Sequence, residues 1–414
     1  VRAQLHCEAL VVGGGLVGSV LAHALRTIPV RTVLVEARDP GVLEQPSFDG
    51  RATALANGSQ RILDQLGLWS PLRTAAQPIR SIHIGEQGRF GAARIEAREE
   101  GVAALGVTVE NRVLGQALWQ PLARPADGFA CFAPAALAGF EARDDAVVAD
   151  IETAEGRTRV RAQLLIAADG ARSSVRRALG IAAREDDYGQ QAIIVNCTTA
   201  VAHGGRAFER FTPSGPLAVL PLSGGRVAVI WTLPAPVADR TMTLDDDAFR
   251  GELQRAFGHR LGRIEQIGAR ALHRLARTRS DALTGPRALL VGNAAVSLHP
   301  VAGQGFNLAL RDVATIAELI ADEVQRAGSQ ADIGTAALLE RYDAWRVRDQ
   351  RNVAWFTHGL VHGFGTRLPG LGALRGLGLI AFDLAPGAKS LLARHTMGMA
   401  GRLPRLARGL SLTQ

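Results

Sequence analysis

Glu8–Glu36 reads EALVVGGGLVGSVLAHALRTIPVRTVLVE. A short apolar strand runs straight into Gly13, Gly15 and Gly18, a helix of small apolar residues follows, and a second apolar strand closes at Glu36. This is a βαβ unit with the dinucleotide fingerprint. Its glycines allow a tight turn, let a pyrophosphate approach the backbone, and let the helix pack closely on the strands. An acid at the end of the second strand can accept hydrogen bonds from both ribose hydroxyls and repels a 2′-phosphate. Glu36 therefore favours the adenosine of FAD or NAD over that of NADP.

A second glycine turn lies far downstream. Arg287–Asp312, RALLVGNAAVSLHPVAGQGFNLALRD, reads as a buried strand, a loop with Gly303 and Gly305, and a helix from about Phe306. Such a loop brings backbone close to a flat ligand, and the helix start aims unpaired N–H groups and positive dipole at it. An electron-rich, anionic ring suits that position; a structural crossover is equally compatible. Between the two turns, LLIAADGARSSVRRALG places Asp169 and Gly170 just past a buried strand, where ligands bind in open α/β sheets, before a helix starting at Ser173 and Ser174. Arg172, Arg176 and Arg177 are either phosphate partners or a solvated helix face. Arg51, in SFDGRATALANGSQRILDQLGLWSPL, precedes an amphipathic helix and is either a pyrophosphate partner or a solvated loop arginine. Asn111 and Arg112 start the helix of VTVENRVLGQALWQPL, where they could reach a phosphate or ribityl group or cap the helix.

Composition narrows the class. With 414 residues and 47% hydrophobic content the chain can bury a large core over two or three domains. No stretch approaches the roughly 20 apolar residues of a membrane span, and no charged leader with a cleavable apolar run precedes the first strand, so export is not expected. Cys7, Cys131 and Cys197 are odd in number and far apart, which suggests neither a disulfide framework nor a metal site. The net charge of +8 comes almost entirely from dispersed arginines with acids between them, so nucleic-acid binding is not expected.

The chain resembles a known family. The N-terminal fingerprint, the DG turn and the strand–GN–HP–GQG–helix turn follow in the order and spacing of the flavin-dependent aromatic hydroxylases of the para-hydroxybenzoate hydroxylase type. FDGRATAL with GLW, ENRVLGQALW, YGQQAIIV and HPVAGQGFNLALRD resemble the ubiquinone-biosynthesis hydroxylases among them, over about residues 8 to 350. Asn293, in GNAA where most of the wider family carries Asp, resembles the 2-octaprenyl-6-methoxyphenol hydroxylase branch. Ala309 departs from the Gly that the ubiquinone-hydroxylase signature expects, a change that favours the helix.

The resemblance implies an α/β fold: a Rossmann-type FAD-binding domain interleaved with an antiparallel-sheet substrate domain, and a helical C-terminal region. The expected FAD-binding parts are 1–77, 99–182 and 276–350. The substrate domain comprises the alternating hairpin 78–98 and the strands of 183–275, and 351–414 forms the helical, basic tail. It implies that Gly13, Gly15 and Gly18 hold the FAD pyrophosphate, Glu36 the adenosine ribose, and Arg51 and Arg112 the phosphates or ribityl chain. Asp169 serves FAD indirectly, with the reductant as a further partner the resemblance allows. Asn293 meets the ribityl, and Pro300, Gly303, Gln304 and Gly305 face the flavin ring. FTPSGPLAVLPL offers Pro213, Gly215, Pro216 and Leu220 as pocket positions, with a plain strand interior the alternative for Leu220.

The implied reaction is hydroxylation of a polyprenylated phenol in ubiquinone biosynthesis through a flavin C4a-hydroperoxide. It uses FAD, NADH or NADPH or another electron donor, and O2, with no metal. The implied place is the cytoplasm or the periphery of the inner membrane. His299 reads as structural, and no catalytic base is legible. A halogenase is disfavoured by the lack of WxWxIP, and an NAD-dependent dehydrogenase by the second flavin turn. A flavin-bearing scaffold of a quinone-biosynthesis complex and an FAD monooxygenase of another aromatic substrate stay open. From Val353 onward the only acid is Asp383, against seven basic residues from Arg367 to Arg408. LPGLGALRGLGLIAF and LLARHTMGMAGRLPRL read as short helices that either cover the core or dock on a membrane or partner.

Overall fold

The computed structural model describes residues 4–39, 51–297, 304–365, 381–383 and 385–413, and side chains among them other than those of 304, 352–365 and 386. Its first sheet has eight strands. Five run parallel in the order Ala288–Leu290, Gly156–Ala167, Leu5–Val12, Thr32–Val35, Phe129–Phe132. Val147–Thr153 and Ala135–Ala142 extend the long second strand as an antiparallel flap. Covered on both faces, the parallel strands are apolar without alternation: Leu164, Leu165, Ile166 and Ala167 are all fully buried. The register places Val12 beside Val35 and Ala167, and Ala167 beside Leu290. Three turns more than a hundred residues apart in the chain therefore leave the same sheet edge side by side.

The second sheet has nine strands, of which Gly215–Pro221 and Ser81–Glu86 alternate more and less buried positions. Its core is built from Ala183–Thr199, Ala271–Ser280, Arg226–Pro234, Gly215–Pro221 and Arg206–Thr212. One face, including Ile193, Val195, Leu217, Val219 and Trp231, packs on the helices Ala235–Met242 and Asp246–Phe257 through Phe249, Leu253 and Phe257. The other face looks toward the first sheet across a cavity. The hairpin of Ser81–Glu86 and Ala92–Glu96 joins this sheet at its far edge, pairing parallel with Arg206–Thr212. A three-stranded sheet of Ala52–Ala56, Gly106–Glu110 and Gln77–Ile79 bridges the two larger ones.

Local differences from the sequence reading have simple causes. Arg51 leads into a strand, Ala52–Ala56, rather than a loop running straight into a helix, because ATALA finds a partner in Gly106–Glu110. Ala271–Ser280 overruns the boundary expected at 275, and the helix Ala336–Gly365 overruns that at 350. In the tail, LPGLGALRGLGLI lies outside the described residues. The helix Pro386–Thr396 is described, and Ala393 and Met397 pack on Ile95, Ala97 and Leu105. Leu406, Ala407 and Leu412 enter the main core. Arg405 pairs with Glu318 and Asp322, and Lys389 lies 3.0 Å from Glu99, whereas Arg402, stacked 3.7 Å over Trp345, is exposed like Arg394 and Arg408. The described end of the tail thus packs on the core.

Candidate FAD and substrate site

The fingerprint turn is a cradle closed by contact. Gly13 sits at φ +98°, and a Cβ there would lie 2.6 Å from the Ala168 carbonyl oxygen; one on Gly18 would lie 1.8 Å from the Gly13 oxygen. Neither position has room for a side chain, so backbone and helix start lie bare toward any ligand above them. The 11-residue helix Leu16–Arg26 begins at Gly15 with no side-chain cap, leaving its first N–H groups free for an anion. Glu36 is buried; its Oε2 accepts from the Gly14 N–H at 2.5 Å and its Oε1 from the Arg38 N–H at 2.9 Å. Trp119 Nε1 and the Ser19 hydroxyl both donate to the Gly14 carbonyl at 2.8 Å, which fixes the turn from below.

Asp169 caps the next helix. Its Oδ2 accepts from the Ser174 N–H at 2.7 Å, the Ser174 hydroxyl at 3.1 Å and the Val175 N–H at 3.2 Å. Its Oδ1 is buried with no partner among the described residues, an acceptor left for a bound group. Arg176 is turned away from any phosphate, donating to the carbonyls of Ala294 and Ala171 at 2.8 Å each.

A cavity of about 610 Å³ runs from this turn to the second sheet. At the cofactor end it is lined by Gly15, Arg51, Asn111, Gly170, Asn293 and Gly305. Asn111 is buried, and its Oδ1 accepts from the Thr53 hydroxyl at 2.5 Å. Arg112, expected at a phosphate or the ribityl chain, is 56% exposed beside Glu110 and lies outside the cavity wall. At this helix start Asn111, not Arg112, faces in. Gln304 and Gly305 begin the helix Gln304–Ala327, while His299, Pro300 and Gly303 lie outside the described residues. Ala309 lines the cavity one turn further on, where glycine would leave a wider gap.

Behind Asn293 lies an ionic lock that the sequence did not reveal. Asp312 and Arg346 are both fully buried and 2.7 Å apart. Asp312 Oδ2 accepts from the Gly292 N–H at 3.1 Å, tying the GN turn to the lock. Arg346 also donates to Asp349 at 2.5 Å, and Arg311 reaches the other oxygen of Asp349 at 2.9 Å. Burial alone would lower the basicity of Arg346, but the Asp312 and Asp349 carboxylates hold it above its ordinary range.

The far wall is apolar: Ile82, Ile84, Ile95, Leu105, Ile194 and Ile230, with Leu392 and Thr396 closing it from the C-terminal helix. Of the four pocket candidates on Phe211–Leu222, Leu220 lines this wall. Pro213, Gly215 and Pro216 do not; they form and flank the tight end of the hairpin in which Thr212 pairs with Gly215. The residue missed is Glu209, an acid on the cavity side between Ala207 and Phe211. Its signal was the period of two in RAFERFT, which puts it in register with inward apolar positions. Burial pushes its carboxyl up to about 7. Burial also pushes the Cys7, Cys131 and Cys197 thiols up, keeping them protonated. Among the described residues no group of three or more acid, cysteine or histidine side chains could hold a metal ion. No helix among them is long and apolar enough to cross a membrane.

The residues present fit FAD: a side-chain-free pyrophosphate cradle, a buried ribose acid, an orphan acceptor and the Gly292–Asn293 turn on the same sheet edge. Comparison with known proteins agrees. The FAD binding domain family matches residues 6–355. The ubiquinone hydroxylase UbiL of Rhodospirillum rubrum is 38% identical, the match covering 98% of this chain and 93% of that one. The 3-demethoxyubiquinol 3-hydroxylase of Escherichia coli is 30% identical, over 95% and 98%. The crystal structure of p-nitrophenol 4-monooxygenase from Pseudomonas putida shares the fold, with a TM-score of 0.79 at 19% identity over 96% of this chain and 100% of that one. The chain belongs to the FAD-binding-domain family of flavin monooxygenases, among the ubiquinone-biosynthesis hydroxylases.

Proposed function

We propose that this monooxygenase hydroxylates the ring of a polyprenylated phenol on the route to ubiquinone, with NADH or NADPH as reductant and O2 as the oxygen source. The observation that carries this is the single cavity joining a dinucleotide cradle to an apolar sheet face. When bound, FAD supplies the electrons that activate O2, one oxygen entering the ring and the other leaving as water. The chain supplies the rest. Gly13, Gly15 and Gly18 present backbone to the pyrophosphate, Glu36 takes the adenosine ribose, and Arg51 answers the phosphate charge. Asn111 and Asn293 offer amides to the ribityl chain, and Asp169 offers its free oxygen. The start of Gln304–Ala327 brings positive dipole to the ring end.

The isoleucine wall excludes water and accommodates an isoprenoid tail. The C-terminal helix carries Leu392 and Thr396 inward and Leu391 outward, 62% exposed. This supports an approach of the tail past this helix from a membrane surface or a neighbouring biosynthetic enzyme.

The test uses the FAD-loaded protein, NADH or NADPH, O2 and 2-farnesylphenol. Mass spectrometry should find a product heavier by one oxygen atom, carrying label from ¹⁸O2 and not from water. Protein that copurifies with no flavin, or reduced protein that transfers no oxygen to prenylated phenols, would sink the proposal.

A further inference from the structure

The second sheet carries one residue out of keeping with its surroundings. Along Arg206–Thr212 the side chains alternate, and Ala207, Glu209 and Phe211 line the cavity. Glu209 sits mid-strand, directly across from Ile84 on one neighbour and Ala218 on the other, and both line the same cavity. It is the only carboxylate among the described lining residues. Its side chain has no hydrogen bond or ion pair among the described residues.

Resting on the reading of the chain as a phenol hydroxylase, we infer that Glu209 is the catalytic residue that accepts the phenolic proton of the substrate. A carboxylate standing in an apolar wall with no partner costs stability and has no structural task. It has a chemical one if a hydroxyl is brought to it. Desolvation, with no neighbouring charge contributing, places its carboxyl at about 7, where it takes and returns a proton near neutral pH. The other charged or titratable groups on the cavity wall are Arg51 at the cofactor end and His273 and Arg274 on Ala271–Ser280. Glu86, two residues past Ile84 on the adjacent strand, is ion-paired with Arg89. His83 points to the opposite face, against Phe208.

The proton inventory closes. The phenolic O–H bond breaks heterolytically, the proton passing to a Glu209 carboxylate oxygen and the electron pair staying on the phenol oxygen. That pair enriches the ring carbon which forms the new C–O bond with one atom of activated O2. The carbon then loses its hydrogen as a proton, restoring the aromatic ring. The second oxygen atom leaves as water, with two electrons from NADH or NADPH and a proton from the medium. Glu209 then returns its proton to the product oxygen or to water.

The experiment compares FAD-loaded wild type, Glu209→Gln and Glu209→Asp with 2-farnesylphenol as probe; flavin absorbance after gel filtration shows that each variant is folded and loaded. In wild type, kcat/KM for ring hydroxylation should rise with pH and level off above about 7 as Glu209 loses its proton. Glu209→Gln should lose at least about 100-fold in product formation together with that rise, and Glu209→Asp should recover part of both. A second readout needs no turnover. The Kd of 2-farnesylphenol for the oxidised protein, read from the flavin spectrum, should tighten across neutral pH in wild type and stay flat in Glu209→Gln. Glu209→Gln with wild-type product rates and pH profile, or with the wild-type pH dependence of Kd, overturns the assignment. Wild type that oxidises NADH or NADPH yet hydroxylates no phenol refutes the hydroxylase reading instead, and the Kd comparison still decides whether Glu209 meets the phenol.

Discussion

Replacing Arg346 with methionine should unlock the GN turn. Asp312 and Arg346 are both at 0% exposure and 2.7 Å apart, so neither has water to fall back on. Methionine fills most of the arginine's volume and removes its charge, leaving a buried carboxylate held only by the Gly292 N–H at 3.1 Å and Gln350 at 3.3 Å. Breaking a buried pair from one side costs about 3–5 kcal/mol, against a total stability of roughly 5–15 kcal/mol for a typical domain. Removing both charges in Asp312→Leu/Arg346→Met also removes both desolvation penalties, so the double variant should recover most of the loss. The sign with pH follows. Without its partner, Asp312 has a folded-state pKa above its unfolded value, so Arg346→Met is least destabilised in acid and loses ground as pH rises through the folded pKa. Urea melts of both variants at several pH values, with FAD affinity from fluorescence quenching, measure all of this. A cost for Arg346→Met below about 1 kcal/mol, or a double variant worse than the single, would refute the reasoning.

Gly18→Ala should abolish FAD retention and lower the melting temperature, since its Cβ would lie 1.8 Å from the Gly13 carbonyl oxygen; flavin recovered per chain after gel filtration is the check. Asn293→Asp exchanges a neutral acceptor for a charged one at the ribityl position and should tighten FAD by about fivefold, roughly 1 kcal/mol; an unchanged Kd would reduce the residue to a mark of lineage. Glu209 has a folded pKa raised from 4.5 to about 7, so its burial costs nothing in acid and destabilises progressively as pH rises through that window. Glu209→Gln should therefore be more stable than wild type at pH 8, by at most about 3 kcal/mol, and no different at pH 4; urea melts at the two pH values decide. Leu391→Asp should weaken cosedimentation with anionic liposomes several-fold while leaving flavin content unchanged, and equal cosedimentation would count against the surface approach.

What the sequence made legible was whatever depends on local chemistry. The strand, glycines, helix and acid of Glu8–Glu36 form one contiguous unit, and the structure has it at Leu5–Val12, Leu16–Arg26 and Thr32–Val35. YGQQAIIV and GRVAVIWTLP read as strands of an antiparallel sheet, and they pair in that sense. What stayed hidden depended on contacts across the chain. Nothing near Asp312 in sequence points to Arg346 on another helix, and Arg346 is one of three arginines in WRVRDQR with no sequence mark that sets it apart. Arg112 and Asn111 are adjacent, and only the helix phase decides that Asn111 turns inward. Glu209 was overlooked for a different reason: an acid in a strand is ordinarily read as marking the solvent face, and here that face lines a desolvated cavity. The sequence left the basic tail open between covering the core and docking outward, because its acidic partners, Glu318, Asp322 and Glu99, lie far away in sequence.

The neighbouring strand ends at Val12, Ala167 and Leu290 also set a schedule for the polypeptide as it is made. The cofactor turn nearest the N-terminus leaves the ribosome early, but the strand that completes its edge and the helix Gln304–Ala327 that packs on Leu16–Arg26 come nearly three hundred residues later. Until then the second sheet can pair within itself, while the first presents an open apolar edge at Gly156–Ala167, a hazard for aggregation. FAD can stabilise by mass action only a chain that has passed that point. Scarcity of the cofactor during synthesis should therefore deplete the finished protein more than it impairs enzyme already loaded.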